Sequence, residues 1–319
     1  MNKKISLEER KKKIREHYEN TLNSFVEKVK QDPYVIAVIL GGSLAYYDVG
    51  EDSNLDILIV IKDDAKPSSR RTYVENGIDI HADIMQRSRF KSVLEGTMQG
   101  SMYNSFFSKA KLIYSTDDSI KDYIKDSNYF GQKDRDALLV IEISWAMYNL
   151  YKARKFLYII EDVLGSFYFY AEMMRALATI EVILNKQIPM REIIQQALKL
   201  NPSFFEVAFD EACNMEKTKE NMDRMIKLCE EYIDERIEVT YKAVLDYLAE
   251  VQDFRTHSEI VDAIRVTNRQ LEFLNMNELA KRGIVLEELI PQRITDKSQP
   301  TITEAAYMYS PEMNLGGDN

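Results

Sequence analysis

The hydrophobic pattern in the first part of the chain changes between a helical and a strand period. Apolar residues recur at helical intervals from Ile14 to Val29, after Ser6, which forms a capping-box sequence with the glutamate three residues later. Pro33 ends this helix because proline has no amide hydrogen. Apolar runs from Tyr34 to Leu40 and from Leu55 to Ile61 then predict two buried strands.

Further short elements follow before residue 120. Polar and apolar residues alternate between Asp79 and Met85, which predicts a strand, and the Asn76-Gly77 pair before it predicts a turn. The other predicted elements are a short strand at Tyr73–Glu75, helices at Ser88–Glu95 and Ser105–Ala110, and an edge strand at Lys111–Ser115. The pattern indicates a small mixed sheet flanked by helices.

The middle of the chain has the composition of long helices. No glycine lies between Gly165 and Gly283, and the only prolines there are Pro189 and Pro202. Five helices are predicted, at 138–160, 167–184, 190–200, 204–213 and 222–237. Eight aromatic residues of the first two are interpreted as core rather than as a wall that stacks on a base: Trp145, Tyr148, Tyr151, Phe156, Phe167, Tyr168, Phe169 and Tyr170.

The C-terminal pattern is three helices followed by two strands. One helix closes at Val251, a second begins near Thr256, and a third runs from Arg269 to Arg282; strands at 284–290 and 301–309 follow. This order is typical of a winged helix. The charges of the third helix nearly balance, which favours a role in packing or dimerisation over one in reading DNA.

These patterns together predict an α+β protein with three parts. A small mixed-sheet domain occupies residues 1–120, an all-α helical domain 121–237 and a winged-helix-like domain 238–319. The residues after Pro311 are predicted to be disordered.

Composition places the chain among soluble globular proteins. It is 45% hydrophobic and 29% charged, has no run of membrane-spanning length, and begins without the apolar segment of a signal peptide, which predicts a cytoplasmic protein. Cys213 and Cys229 lack the paired spacing of a zinc site and are interpreted as reduced core thiols. The net charge of −10 disfavours a general polyanion binder and permits a cationic substrate.

The candidate chemistry begins where the first strand ends. Gly41, Gly42 and Ser43 form a turn in which glycines permit close backbone approach to an anion and the serine offers a hydroxyl. On the following strand, Asn54 and Asp56 share a face because side chains alternate with a period of two. A phosphate-sized turn is thus followed by a polar strand edge.

A second polar face follows on the next predicted strand. Asp79, His81 and Asp83 lie two residues apart and therefore share a face. They either take part in the same site or line the solvated face of an edge strand. His81 is interpreted as a neighbour of the site rather than as a ligand.

At these residues the chain resembles the nucleotidyltransferase superfamily, which includes DNA polymerase beta and the antibiotic-modifying nucleotidyltransferases. The family signature is Gly-Gly/Ser-Ser, a spacer, an Asp-x-Asp/Glu strand and a third carboxylate on a later strand. The layout is similar to that of the kanamycin-type enzymes, which also place a helical domain after this one. Ser88 opens the following helix, and its position in the family pattern makes Asp83 the first choice for the third carboxylate and Asp79 the second.

The resemblance implies transfer of a nucleoside monophosphate from a nucleoside triphosphate, with Mg²⁺ held by carboxylates. Asp56, Asp83 and Asp79 are then the candidate metal ligands, and Gly41, Gly42 and Ser43 contact the phosphates. Asn54 stands where the family has its first metal-binding aspartate. An amide offers one neutral oxygen and cannot bridge two metals, so metal affinity should fall.

The resemblance also reveals a second departure from the family pattern and further candidate site residues. Tyr46 stands where an arginine often follows the Gly-Ser pair, and Asp48 or Asp52 of the spacer are considered as replacements for the missing carboxylate. The first helix of the helical domain should face the nucleotide, which makes Glu142 a candidate base and Lys152 a candidate phosphate contact. Ordinary solvated positions explain these two residues equally well.

Two classes of function follow. One is an enzyme that uses a nucleoside triphosphate, Mg²⁺ and a small-molecule acceptor hydroxyl. The other is a catalytically impaired relative that binds a nucleotide, or nothing, and acts as a regulatory or scaffold protein. Membrane partners are not expected, nucleic acid is disfavoured, and the sequence leaves a homodimer open.

Overall fold

In the computed structural model, the apolar runs of the N-terminal part form the strands of a sheet. The chain divides into two compact units, Met1–Tyr129 and Phe130–Asn319. The first ends close to the predicted boundary at residue 120, and the further division at residue 238 stays a prediction. The structure describes residues 6–46, 49–66, 70–96, 110–126, 132–264, 274–295, 297, 299 and 301–310.

The described elements of the first unit alternate between helices and strands. In chain order they are α1 (Leu7–Val29), β1 (Val35–Gly41), α2 (Gly42–Ala45), β2 (Leu55–Ile61), β3 (Arg71–Glu75), β4 (Ile78–Gln86), α3 (Arg87–Gly96), β5 (Lys111–Ser115) and α4 (Ser119–Asp126). Each strand lies within two residues of its predicted position. The helix predicted at Ser105–Ala110 falls, apart from Ala110, outside the described residues.

The sheet is mixed and has β2 at its centre. Its strand order is β3-β4-β2-β1-β5, and β2 and β4 run parallel while the other neighbours pair antiparallel. Asn76 and Gly77 connect β3 to β4 with φ angles of 49° and 78°, a left-handed turn that asparagine and glycine tolerate. The register of the parallel pair determines which polar residues of β2 and β4 lie directly beside each other, that is, level with one another.

The two faces of the sheet carry different helices. Tyr18, Leu22, Phe25 and Val26 of α1 pack on the face formed by Leu55, Ile57 and their neighbours. The other face, which carries Leu58 and Val60, packs against Phe90 of α3 and Ile120 of α4. β2 is therefore buried on both sides except at its start, where Asp56 replaces an apolar residue.

The second unit is mainly helical. Its helices are α5 (Gln132–Lys155), α6 (Val163–Leu184), α7 (Ile193–Leu200), α8 (Pro202–Phe205), α9 (Ala212–Asn214), α10 (Lys219–Asp234), α11 (Ile237–Thr240), α12 (Lys242–Val251), α13 (His257–Ile264) and α14 (Met276–Lys281). π-helical turns at Phe156–Ile160 and Glu206–Glu211 continue α5 and α8. These elements account for the five helices expected from the low glycine content.

A small sheet lies in the C-terminal part of this unit. Strands β6 (Arg255–Thr256), β7 (Leu286–Arg293) and β8 (Thr301–Met308) pair antiparallel in the order β6-β8-β7. The predicted hairpin is present. Of the predicted helix at 269–282, residues 269–273 lie outside the described part, and α14 covers its end. The expected disorder after Pro311 also concerns residues that are not described.

Two core assignments from the sequence are wrong. Among the eight aromatic residues only Tyr170 is fully buried, whereas Tyr151 and Tyr168 are each 59% exposed. Cys213 is exposed and only Cys229 is a core thiol. Aromatic content alone does not report burial, because a ring at the end of a helical hairpin has too few neighbours to cover it.

No helix in the described parts of the chain combines the length and the hydropathy needed to cross a bilayer.

Candidate functional site

The glycine turn packs directly on the carboxylate of Asp56. Gly41 ends β1, and Gly42 follows with a φ of 65°, a left-handed conformation that strains other residues. A Cβ atom at Gly42 would lie 2.3 Å from Asp56 Oδ2, closer than any carbon–oxygen contact permits. Only glycine therefore lets the backbone of this turn approach the Asp56 side chain.

Three strands bring polar groups into one row at this end of the sheet. Gly41 pairs with Asp56 across β1 and β2, and Asp56 is level with His81 across β2 and β4. Residues level with one another on paired strands share a face of the sheet. Gly41, Asp56 and His81 therefore form a row across the sheet. In this row, His81 is the residue of β4 that lies beside Asp56.

Asn54, His81 and Asp56 contact one another. The Asn54 Nδ2 atom donates a hydrogen bond of 3.0 Å to His81 Nδ1, and this nitrogen lies 3.8 Å from Asp56 Oδ1. About a third of the His81 and Asp56 side chains is exposed, 32% and 36%, so a ligand can reach both.

The spacer before Asn54 is held against α1. Tyr18 Oη donates to the carbonyl oxygens of Ser53 at 2.5 Å and Glu51 at 3.2 Å, and burial raises the pKa of its phenol. Arg10 donates two hydrogen bonds to the Glu51 carboxylate and lowers its pKa. These contacts fix the chain that leads into Asn54 and β2.

Asp48 and Asp52 are the spacer carboxylates considered as replacements for the missing aspartate, and the structure describes only Asp52. Asp52 is exposed on the loop beside Tyr18, where its charge contributes to the raised pKa of the phenol. Asp48 lies outside the described residues. Tyr46, the residue at the arginine position of the family pattern, ends α2.

Asp79 and Asp83 flank His81 on the same exposed face of β4. Asp83 is level with Leu58, which is two residues beyond Asp56 on β2. Its Oδ1 atom lies 3.6 Å from Arg70 Nε. Asp79 precedes Ile80, which is level with Leu55, so it lies beside Asn54. Both carboxylates are exposed, and their role as metal ligands stays a prediction.

Ser88, the serine used to place the third carboxylate, lies at the start of α3. Its backbone amide donates to Asp63 Oδ1 at 2.9 Å, and this hydrogen bond lowers the pKa of Asp63. The loop after β2 thus caps the helix that follows β4, which supports the strand end that carries Asp83.

The two candidates from the helical region belong to the second unit. Glu142 is buried on α5, with its Oε2 atom 3.9 Å from an Arg175 nitrogen on α6. Lys152 Nζ lies 5.3 Å from the centre of the Tyr148 ring, a distance typical of a cation–π contact. Their assignments as base and phosphate contact remain predictions.

The oxygen atoms at this end of the sheet fit one divalent cation that is also coordinated by phosphate oxygens of a bound molecule. Mg²⁺ is commonly bound through one or two carboxylates together with phosphate oxygens, and Asp56 supplies one such carboxylate beside the glycine turn. Within the described ranges, no three histidine, cysteine, aspartate or glutamate side chains converge into a metal cage. Asn54 offers its amide oxygen and no charge.

Sequence analysis missed the central position of His81. The alternation in β4 shows that His81 shares a face with Asp79 and Asp83, but not which of the three is level with Asp56. That choice depends on the parallel register of β2 and β4. The one available signal was the histidine itself, a polar ring midway between two aspartates on a strand.

Comparison with known proteins agrees with this geometry. Residues 22–92, which contain the glycine turn, β2 and β4, match the family model of the nucleotidyltransferase domain. No curated protein matches the sequence. Among solved structures, a nucleotidyltransferase-like protein from Exiguobacterium sibiricum aligns with a TM-score of 0.62 over 92% of this chain and 99% of that chain, at 12% identity.

At that identity the structural similarity shows a shared fold and nothing about substrates. The family match covers the residues that build the row, and the domain family generally uses divalent metal ions. The similarity to the nucleotidyltransferase domain is thus limited to residues 22–92, and the solved structure adds a shared fold.

Proposed function

We propose that the first unit binds a nucleoside triphosphate at the glycine turn and transfers its nucleoside monophosphate to a hydroxyl of a small molecule. The observation that carries the proposal is the contact between Gly42 and Asp56. A backbone turn pressed against a carboxylate provides adjacent places for phosphate oxygens and for the cation that accompanies them.

The residues of the glycine turn and the carboxylates near the row have proposed parts. The backbone at Gly41 and Gly42 and the Ser43 hydroxyl bind phosphate oxygens, and among the described residues no hydrogen-bond partner occupies that hydroxyl. Asp56 would hold Mg²⁺, with Asp83 as the first choice and Asp79 as the second choice for one further carboxylate ligand. A divalent cation at this place would neutralise charge on the attacking and leaving oxygens.

The proposed reaction uses these phosphate and metal positions. The acceptor oxygen attacks the α-phosphorus, a new oxygen–phosphorus bond forms, and the bond to the bridging oxygen breaks to release pyrophosphate. The acceptor proton must pass to a base. Glu142 and Lys152, the candidates from the family resemblance, belong to the second unit, where Glu142 is buried beside Arg175, so neither is part of this proposed site.

A second candidate function is nucleotide binding without efficient transfer. Its specific support is Asn54, which contributes no charge and donates to His81 instead of holding a cation. Losing a carboxylate next to the reacting phosphate removes electrostatic stabilisation of the transition state. In this case the protein would act as a nucleotide-dependent regulator through its second unit.

The C-terminal part is proposed to be a winged helix used for packing. Helices α12, α13 and α14 with the β6-β8-β7 sheet have the element order of that motif. Lys281 and Arg282 are paired with Glu278, and Arg282 also contacts Asp234 at 2.8 Å. Cations engaged in this way are not available to phosphates, which supports packing or dimer contacts over DNA binding.

Calorimetric titration with ATP, GTP, CTP and UTP, with and without Mg²⁺, tests the function. We expect Mg²⁺-dependent binding of at least one nucleotide that is weakened tenfold or more by Asp56→Asn, and a gain in binding or transfer with Asn54→Asp. Lys12→Gln on the exposed side of α1 serves as the control and should bind like the wild type. No binding by either the wild type or Asn54→Asp would contradict the proposal.

Transfer is measured separately by release of pyrophosphate in the presence of candidate acceptors. Turnover by the wild type supports the enzyme. Nucleotide binding without turnover in the wild type, with turnover gained in Asn54→Asp, supports the impaired relative.

A further inference from the structure

A cleft on the opposite face of the sheet is separate from the proposed nucleotide site. It has a volume of about 460 Å³, and its floor is formed by Ile59, Ile61 and Ile84. Because side chains alternate along β2, Ile59 and Ile61 point away from the face of Asp56. Ile61 is also five residues beyond Asp56 on β2, roughly 16 Å along the strand.

The cleft exists because α1 stops before it covers the whole face. The helix ends at Val29, and the chain turns at Pro33 into β1. Ile84 and Ala65 pack on the core below α1 but are only partly buried. Ile59 and Ile61 are only 4% and 7% exposed, so the apolar surface that a ligand can touch comes mainly from Ile84 and Ala65.

Two tyrosine rings flank this floor. Tyr34 is 49% exposed on the connection between α1 and β1, and Tyr73 is 38% exposed on β3. The Tyr73 ring lies 5.6 Å from the ring of Phe25, which holds it at the edge of the cleft. Aromatic rings with one apolar side and a polar hydroxyl are common walls of small-molecule sites.

Of the charged groups that line the cleft, Asp32 and Lys66 form no ion pair with any residue that the structure describes. Lys28 is paired with Glu75 at 2.6 Å, and Asp32 accepts a hydrogen bond of 2.9 Å from the Tyr34 amide. Lys66, which lines the cleft next to Ala65, forms no ion pair with any residue in the described ranges. In a chain with a net charge of −10, the cleft thus offers an unpaired ammonium beside an apolar floor.

We propose that this cleft binds a small amphipathic carboxylate with an aromatic body. The body packs on Ile59, Ile61 and Ile84 between the two tyrosines, and the carboxylate pairs with Lys66. The volume lies within the range of about 300–1,000 Å³ that is usual for small-molecule sites. The inference does not depend on the proposed nucleotide site.

The test is a calorimetric titration of the full-length protein with 2-naphthoate, in parallel with neutral 2-naphthamide. We expect saturable binding of one naphthoate per chain and binding of the amide that is at least threefold weaker. Lys66→Gln should weaken naphthoate binding about threefold to tenfold, because it removes the charge and keeps a polar side chain that is one atom shorter. Lys12→Gln, an exposed lysine of α1, is the matched control and should bind normally.

Ala65→Phe places a ring at the cleft and should abolish naphthoate binding. A circular dichroism melt of this variant shows whether the fold is retained. Absence of saturable binding to the wild type would overturn the proposal. Equal affinity of the carboxylate and the amide, or unchanged affinity in Lys66→Gln, would overturn it as well.

Discussion

Gly42 is the residue on which the proposed site depends most directly. Its φ of 65° and its contact with Asp56 are both incompatible with a side chain. Gly42→Ala should therefore push the turn away from Asp56 and lower nucleotide affinity at least tenfold, as measured by calorimetric titration. The melting temperature should fall as well, because the left-handed conformation alone costs alanine roughly 1 kcal/mol.

Gly77 provides the matched control for that substitution. It also has a positive φ, 78°, but nothing lies within 4 Å of an added Cβ atom. Gly77→Ala should lower the melting temperature and leave nucleotide affinity unchanged. If both variants bound nucleotide like the wild type, the turn at Gly42 would not be a phosphate site.

At the scale of elements, the crossing of α5 and α6 is set by Gly165. An added Cβ atom there would lie 2.3 Å from Phe156 Cδ1 in the π-helical turn. A glycine-to-alanine change inside a helix normally stabilises a protein by about 0.4–1 kcal/mol through the unfolded chain. Here we expect Gly165→Ala to destabilise by about 1–3 kcal/mol, because overpacking forces the helices apart.

Urea denaturation of Gly165→Ala in two backgrounds measures this crossing. In the Phe156→Leu background the penalty of Gly165→Ala should shrink, since the ring that meets the new methyl group is gone. An equal penalty in both backgrounds would show that the contact between Gly165 and Phe156 does not limit the packing.

The contact between α3 and the start of α4 should make stability depend on pH. Asp117 accepts hydrogen bonds from Ser119 and from Arg87, and these lower the pKa of its carboxyl. A lowered folded-state pKa stabilises the protein above the unfolded value, near 4, and this stabilisation is lost as pH falls through the folded value. Asp117→Asn should thus melt below the wild type at pH 7, and the difference should narrow at pH 3.

Asp118→Asn is the control for the pH experiment. Asp118 is the neighbouring exposed aspartate, so its replacement should leave the melting temperature nearly unchanged at both pH values. A pH-independent difference between Asp117→Asn and the wild type would mean that the carboxylate charge does not contribute.

At the scale of the whole molecule, the hydrophobic pattern was sufficient for the α+β class and for most of the elements, but it did not predict α4 or β6. The run at 34–40 is continuously apolar and the run at 55–61 is apolar apart from Asp56, and short runs of this kind are typical of strands buried on both faces. The site was predicted as a set of residues but not as an arrangement. Gly42 and Asp56 are separated by the spacer, and their contact depends on the antiparallel pairing of β1 and β2.

His81 shows why the rest of the site could not be predicted. Three polar residues alternate on β4, and a shift of the parallel register by two residues would place either aspartate level with Asp56. Exposure is similarly a property of the assembled unit, as Tyr168 on α6 illustrates. The helical period predicts which residues share a stripe, whereas the neighbouring elements decide whether the stripe is covered.

The most direct test of the central claim is to locate the triphosphate. Crystals of the protein grown with Mn²⁺ and a non-hydrolysable nucleoside triphosphate would reveal the metal by its anomalous signal. The proposed function predicts an anomalous peak next to the Asp56 carboxylate, with phosphate oxygens against Gly42 and Ser43. A triphosphate and metal bound elsewhere, with the turn at Gly42 empty, would contradict it.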